Sequence, residues 1–161
     1  MSIDQTSDLR TFLSPFSDDK KETALWLRDF VWKLYPETNE LIYDNYNALA
    51  FGWSLTDKLG STFCSVAIGR SSKNIHFGFF FGSLISDPKK LLLGKGNQYR
   101  YILVEDKKDF PAAYMKQLLH EAYTNALSKL KDPAQIKNGL TIIKSISDKK
   151  RALKPKAAKK K

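Results

Sequence analysis

One cysteine, Cys64, and two histidines, His76 and His120, are the whole supply of residues that could staple or cage this 161-residue chain. A lone thiol closes no internal disulfide, and these three residues do not make a Cys/His zinc cage. A reducing, cytoplasmic setting is expected. Long apolar runs are missing too: none approaches a membrane span, and the opening Met-Ser-Ile-Asp-Gln-Thr-Ser-Asp has no charged region leading into an apolar stretch. The reading is a soluble chain with neither a secretion leader nor a membrane partner.

Acidic residues are scarce toward the C-terminus, and the net charge of +10 is uneven. Residues 1–44 carry −4, residues 45–147 carry +7, and residues 148–161 alone carry +7. The body before residue 148 is therefore only mildly basic, which weakens a nucleic-acid reading based on total charge. A chain of this length buries roughly 70% of its unfolded surface, enough for one independent core.

Residues 1–16 hold scattered apolar positions (Ile3, Leu9, Phe12, Leu13, Phe16) and a Ser14-Pro15 break, which suggests an N-terminal arm or short helix over the body. From Ser17, an N-cap candidate, acids fill the first helical turn (Asp18, Asp19, Glu22), where the helix dipole favours them. Ala24, Leu27, Val31 and Leu34 recur at helical spacing until Pro36. Strand-like segments follow near 40–44, 47–54, 62–69, 74–81 and 99–104, with connections too short for parallel crossovers, so most neighbours should pair antiparallel. Asp87-Pro88 is expected to open a short helical turn through Leu91 to Leu93. The helical period returns after Pro111 and runs to about Leu130. Ile136, Leu140, Ile143 and Ile146 form a narrow apolar stripe that predicts a terminal amphipathic helix despite Gly139. The Lys-rich residues 148–161 have little to bury and are expected to be a disordered tail. These elements predict an α+β two-layer sandwich, an antiparallel sheet of about five strands with helices on one face.

The most distinctive segment runs from Ile75 to Val104. It reads Phe-Gly-Phe-Phe-Phe-Gly-Ser-Leu-Ile-Ser-Asp-Pro, then Leu-Leu-Leu-Gly-Lys-Gly-Asn-Gln-Tyr-Arg-Tyr-Ile-Leu-Val. Upstream, Leu27-Arg28, Pro36 and Glu40-Leu41-Ile42-Tyr43 precede Phe51-Gly52. Over about residues 20–130 this grammar resembles the YdhG-like domain family of small bacterial proteins, although Asp44-Asn45 and Asn97 depart from the family pattern. The resemblance implies residues 17–147 as one domain with a frataxin-like fold, and iron delivery as one alternative function. Most of the family has no assigned activity, so it implies fold more strongly than function.

Candidate sites follow from residue chemistry. The loop Gly94, Lys95, Gly96 with Arg100 could hold an anion through converging backbone N–H groups and two cations, although it is neither a Walker loop nor a dinucleotide fingerprint. A tight connection that positions a strand explains it as well. On strand periodicity, Ile75, Phe77, Phe79 and Phe81 share one face and His76, Gly78 and Phe80 the other, which could join Trp53, Phe51 or Tyr43 in a pocket or dimer interface. Under the iron alternative, Asp18, Asp19, Glu22, Asp29, Glu37, Glu40 and Asp44 would form a carboxylate ridge. A solvated helix face accounts for most of them. Cys64, in an apolar strand, reads as a buried inert thiol, and no nucleophile, base or metal-ligand spacing marks an enzyme. Lys149, Lys150, Arg151, Lys154, Lys156, Lys159, Lys160 and Lys161 could neutralise phosphates in salt-sensitive nucleic-acid binding, or simply solubilise the chain. The expectation is a non-enzymatic binding module for a small molecule or a protein, with no cofactor apart from iron under the alternative, and a homodimer as one form of partnership.

Overall fold

The computed structural model describes residues 9–71, 74–95, 98–131 and 139–153. Helix α1 spans Asp18–Leu34 and begins as its residues predict: the Ser17 hydroxyl accepts from the Lys20 amide, and Asp18 and Asp19 occupy the first turn. It ends at Tyr35, immediately before Pro36. Strands β1 (Asn39–Asp44), β2 (Ala48–Ser54), β3 (Thr62–Gly69), β4 (Ile75–Phe80) and β5 (Tyr99–Val104) form a meander in which each pairs antiparallel with the next. Helix α2 spans Ala112–Lys129.

The sixth strand, β6 (Thr141–Ile146), lies parallel to β1, giving the sheet order β5-β4-β3-β2-β1-β6. Six strands replace the expected five, and β6 stands where a terminal helix was predicted. Leu140, Ile143 and Ile146 do recur at helical spacing, but Thr141, Ile142, Ile143 and Ile146 are all β-branched and suit a pleated surface equally. Pairing decides between the two: the Glu40 amide donates to the Leu140 carbonyl at 2.8 Å, and the Leu140 amide donates to Asn39 Oδ1 at 3.0 Å. Gly139 makes the entry, with φ +59° in the left-handed region, where an added Cβ would lie 2.8 Å from the Pro36 carbonyl oxygen. The Ile136 part of the expected helix lies outside the described residues.

Both helices cover one sheet face. Ile42, Phe51, Val66 and Phe77 stand in one cross-strand row, all buried, with Leu27, Val31, Met115 and Leu118 above them. Trp26, Phe30, Phe77 and Phe110 interlock edge to face at one end of this layer, and Tyr35, Phe63 and Tyr123 close the other. Residues 9–13 are helical, and Leu9, Leu13 and Phe16 are buried in the same core, so this part of the arm belongs to the domain body. At the far end, residues 148–153 do not trail away: the Arg151 amide donates to the Tyr46 carbonyl and its guanidinium lies over the Tyr46 ring at 5.4 Å. The rest of the expected tail lies outside the described residues. Among the described residues no helix is long and apolar enough to cross a membrane.

Candidate functional site

The distinctive segment is held together by Asp87. After β4, Phe81 turns the chain with φ 55°, and a 3-10 turn over Gly82–Leu84 leads to Asp87 at φ 43°. The helical turn expected after Asp87-Pro88 is absent; the turn precedes it. Asp87 instead behaves as a clamp, its carboxylate accepting from the Leu91 and Leu92 amides at 3.0 Å each and from the Tyr114 hydroxyl at 2.6 Å. Partial burial works against its charge, but these bonds and nearby Lys90 prevail and hold its pKa below the ordinary value. The Tyr114 hydroxyl also accepts from the Lys89 amide, so one helix residue ties down both ends of the turn.

Beyond the clamp, Leu93 exchanges two backbone hydrogen bonds with Tyr101, and Gly94 follows with φ +106°. The Arg100 stem lies across Gly82 and Gly94: a Cβ on Gly82 would sit 2.2 Å from Arg100 Cγ, and one on Gly94 would sit 3.0 Å from the Tyr99 carbonyl oxygen. These glycines therefore give passage to an arginine. Gly94 and Arg100 are in proximity and Lys95 is exposed nearby, while Gly96 lies outside the described residues. His76 belongs elsewhere. Arg100 pairs with Phe79, whose face is the core face, whereas His76 pairs with Ala67 and Leu103 on the opposite one. The tentative ligand-binding residues thus divide between two sides of the sheet.

That opposite side is the more telling surface. Among the described residues no helix covers it, although Asn39, Leu41 and Ser54 at one end of it are fully buried, and its positions in β1 through β5 contain no Asp, Glu, Lys or Arg. Its floor is made of small residues: Ala48, Ala50 and Gly52 from β2, and Ser65, Ala67 and Gly69 from β3. One wall is a continuous run of rings. Phe80 meets Tyr99 edge-on at 5.5 Å, Tyr99 stacks on Tyr101 at 5.7 Å, and Tyr101 stacks on His76 at 4.3 Å with planes 5° apart. Tyr99 leans over Gly78, where a Cβ would come within 2.4 Å of the ring. Burial pushes the Tyr99 phenol up to about 12, with adjacent Ser65 acting the other way. Burial also lowers the pKa of His76, favouring a neutral imidazole in the stack. Tyr43 and Ile142 form the other wall. The two walls stand on strands three spacings, roughly 14 Å, apart.

Tyr43 joins His76 on this face, but Trp53 and Phe51, the other expected neighbours, are fully buried on the core side, and Phe81 lies beyond the end of β4. The small-residue floor and Tyr99 and Tyr101 were not anticipated. Their signal is nonetheless in the sequence: Ala-Leu-Ala-Phe-Gly-Trp-Ser and Cys-Ser-Val-Ala-Ile-Gly alternate large and small with period two.

The carboxylates proposed for iron do not converge. Glu40 is fully buried and takes two hydrogen bonds from Arg28, at 2.6 and 2.8 Å, and a third from the Thr141 hydroxyl at 2.9 Å. Asp44 is buried against Arg70, with Lys150 Nζ 3.4 Å away. Glu22 bonds Lys107, and Asp18 pairs with Lys21. Asp19, Asp29 and Glu37 are exposed, the last accepting from the Tyr123 hydroxyl at 3.5 Å. Among the described residues no three His, Cys, Asp or Glu side chains are arranged to hold a metal ion. Cys64 is fully buried, and burial pushes its thiol pKa well up, against a weaker opposing backbone hydrogen bond. Of the basic tail, Lys150 and Arg151 are engaged with the body, the latter through Asn47 Oδ1 at 2.9 Å, and Lys149 is exposed. Lys154, Lys156, Lys159, Lys160 and Lys161 lie outside the described residues.

Two open depressions occur elsewhere. One of about 580 Å³ lies between Ser86, Pro88 and α2 residues including Lys116 and Glu121, and one of about 380 Å³ is lined by Asp29, Trp32, Lys33, Pro36 and Gly139. The Ser86 amide and hydroxyl both donate to Glu121, so the first is closed at its polar end by its own residues. No family model, curated protein or solved structure matches this chain.

Proposed function

We propose that the chain is a cytoplasmic YdhG-like binding module of frataxin-like architecture, without catalytic activity, whose target occupies the open sheet face. The observation that carries this reading is the absence of any Asp, Glu, Lys or Arg from the outward positions of five neighbouring strands. A solvated antiparallel sheet face ordinarily alternates core residues with charged or polar ones. Here the outward positions are mostly glycine, alanine, serine and rings, with Asn39, Leu41 and Leu103 besides, a surface suited to a flat, uncharged ligand or an apolar protein segment. Ring edges and faces provide orientation, and the glycine and alanine floor permits close approach. The reading favours the small ligand, because a planar ring can stack beside the parallel His76 and Tyr101 rings.

The test is an amide NMR titration of the full chain with 2-naphthol and indole as uncharged planar probes. Shifts should cluster on Ala50, Gly52, Ser65, Ala67 and Gly69 and vanish in Ala67→Glu, which sets a carboxylate on the floor. Shifts confined to the helix layer, or titration unaltered by Ala67→Glu in a folded variant, would refute the proposal.

A further inference from the structure

The basic C-terminal stretch and the open sheet face are far apart in sequence, and the fold brings them together. Residues 148–161 carry eight Lys/Arg against one acid, Asp148, and contain no aromatic ring. Their first residues are fastened at the end of the sheet where β1 turns into β2. The Ser147 amide donates to the Asp44 carbonyl at 2.9 Å, and the Arg151 amide to the Tyr46 carbonyl at 2.8 Å. Arg151 makes its side-chain contacts with neutral groups, its Nε donating to Asn47 Oδ1 at 2.9 Å and its guanidinium lying over the Tyr46 ring. Asp44, the carboxylate that faces Lys150, is already bonded to Arg70. One carboxylate between two cations, with Arg151 and exposed Lys149 beside them, leaves this corner of the sheet positive.

A single cross-strand row of the open face leads to that corner. Strand pairing lines up Leu103, His76, Ala67, Ala50, Tyr43 and Ser145 from β5 to β6, and the Ser145 hydroxyl donates to Asn45 Oδ1 at 2.7 Å. The row has a ring on either side, His76 stacked with Tyr101 and, about 14 Å away, Tyr43, with two alanines between. Rings beside a floor without side-chain bulk can stack nucleobases, whose flat faces are uncharged. The phosphates that accompany bases need cations at the rim and no acid on the floor, and this face has both. Glu105 is exposed and follows Leu103 on the same side of β5. It stands four strand spacings, about 19 Å, from β1, beyond the Debye length of ~8 Å at physiological salt, so it does not cancel the positive corner.

We propose that the open face binds single-stranded nucleic acid, with bases laid along the row from His76 to Tyr43 and backbone phosphates meeting Lys149 and Arg151. The inference rests on the reading that planar rings dock on this face, and it names what carries them. A mononucleotide cannot span from the His76 ring to the Arg151 corner, whereas a strand of a few nucleotides can. A duplex keeps its bases stacked inside and has no free ring face to offer the sheet.

The experiment is fluorescence anisotropy of the full chain with a labelled oligothymidylate of about twelve nucleotides and with a duplex of equal length. The single strand should bind more tightly than the duplex. Tyr101→Ala should weaken strand binding about tenfold, and Arg151→Ala, an exposed change, should lower the slope of log affinity against log salt by about 0.7. Four outcomes overturn the proposal. The strand does not bind; or the duplex binds as tightly; or Tyr101→Ala binds like the parent and only removal of residues 152–161 abolishes binding, which would leave tail electrostatics alone; or the chain is a dimer that Ala67→Glu dissociates, which would assign the face to a second copy. Floor shifts with 2-naphthol but no strand binding would remove this inference and leave the ligand reading standing.

Discussion

Replacing Arg28 by methionine should expose what the buried ion pair contributes, and the result should depend on pH in a particular direction. Arg28 is 2% exposed and Glu40 0%, so neither partner can turn to solvent when the other is removed. Arg28 supplies two of the three hydrogen bonds to the Glu40 carboxylate, and its guanidinium lies 5.1 Å from the centre of the Trp32 ring. Methionine keeps much of the stem's packing and removes only charge and donors. Losing one member of a buried pair costs about 3–5 kcal/mol, which for a domain of this size lowers the melting temperature by roughly 10 °C.

The pH dependence follows from Glu40. Burial already raises its pKa above the usual value of 4.5 even with Arg28 opposing the shift, and without Arg28 the rise must grow. A carboxyl whose folded pKa is raised favours folding when protonated. The variant should therefore be least impaired near pH 4 and lose about 1.4 kcal/mol per unit as pH climbs from the unfolded value toward the folded one. Urea denaturation at several pH values reads this directly, and Glu40→Gln in the same background should flatten the slope. A pH-independent loss, or a loss below about 1 kcal/mol, would refute the reasoning, because it would mean that Glu40 reaches water or another cation.

Two further outcomes follow from groups on the open face and its border. Asp87→Ala removes acceptors from two amides and one phenol and should cost about 1–2 kcal/mol at neutral pH. Because the Asp87 pKa is lowered, that contribution is present above the ordinary carboxylate value and disappears as pH falls through the lowered one, so parent and variant should converge in acid; hydrogen exchange at the Leu91 and Leu92 amides should quicken in the variant. His76 should titrate below 6.5 in an NMR series on its ring protons. Its lowered pKa means the unfolded chain takes up a proton first, so stability declines as pH falls from about 6.5 toward the folded value, and His76→Phe should abolish that part of the decline. A His76 midpoint at or above 6.5 would contradict the stacked, desolvated imidazole.

Much of this molecule is decided within short stretches of sequence. The Ser17 cap, the acids of the first turn and Pro36 delimit α1 by contacts no more than a turn away, and the first four meander strands follow from period-two patterning between short connections. The alternation of large and small residues in β2 and β3 already separates a core face from a bare one. Cys64 as an inert thiol was likewise readable from its apolar neighbours. What local sequence leaves open is whatever depends on a partner far along the chain. Thr141–Ile146 fits a helix or a strand equally until β1 offers it an edge, some hundred residues earlier. Glu40 looks like a surface acid until Arg28, Thr141 and β6 enclose it, and Arg100 and His76 look like one site until the pairing of β4 with β5 puts them on opposite faces. Burial and register arise from long-range packing, and here they determine which of the sequence's polar residues remain available for chemistry.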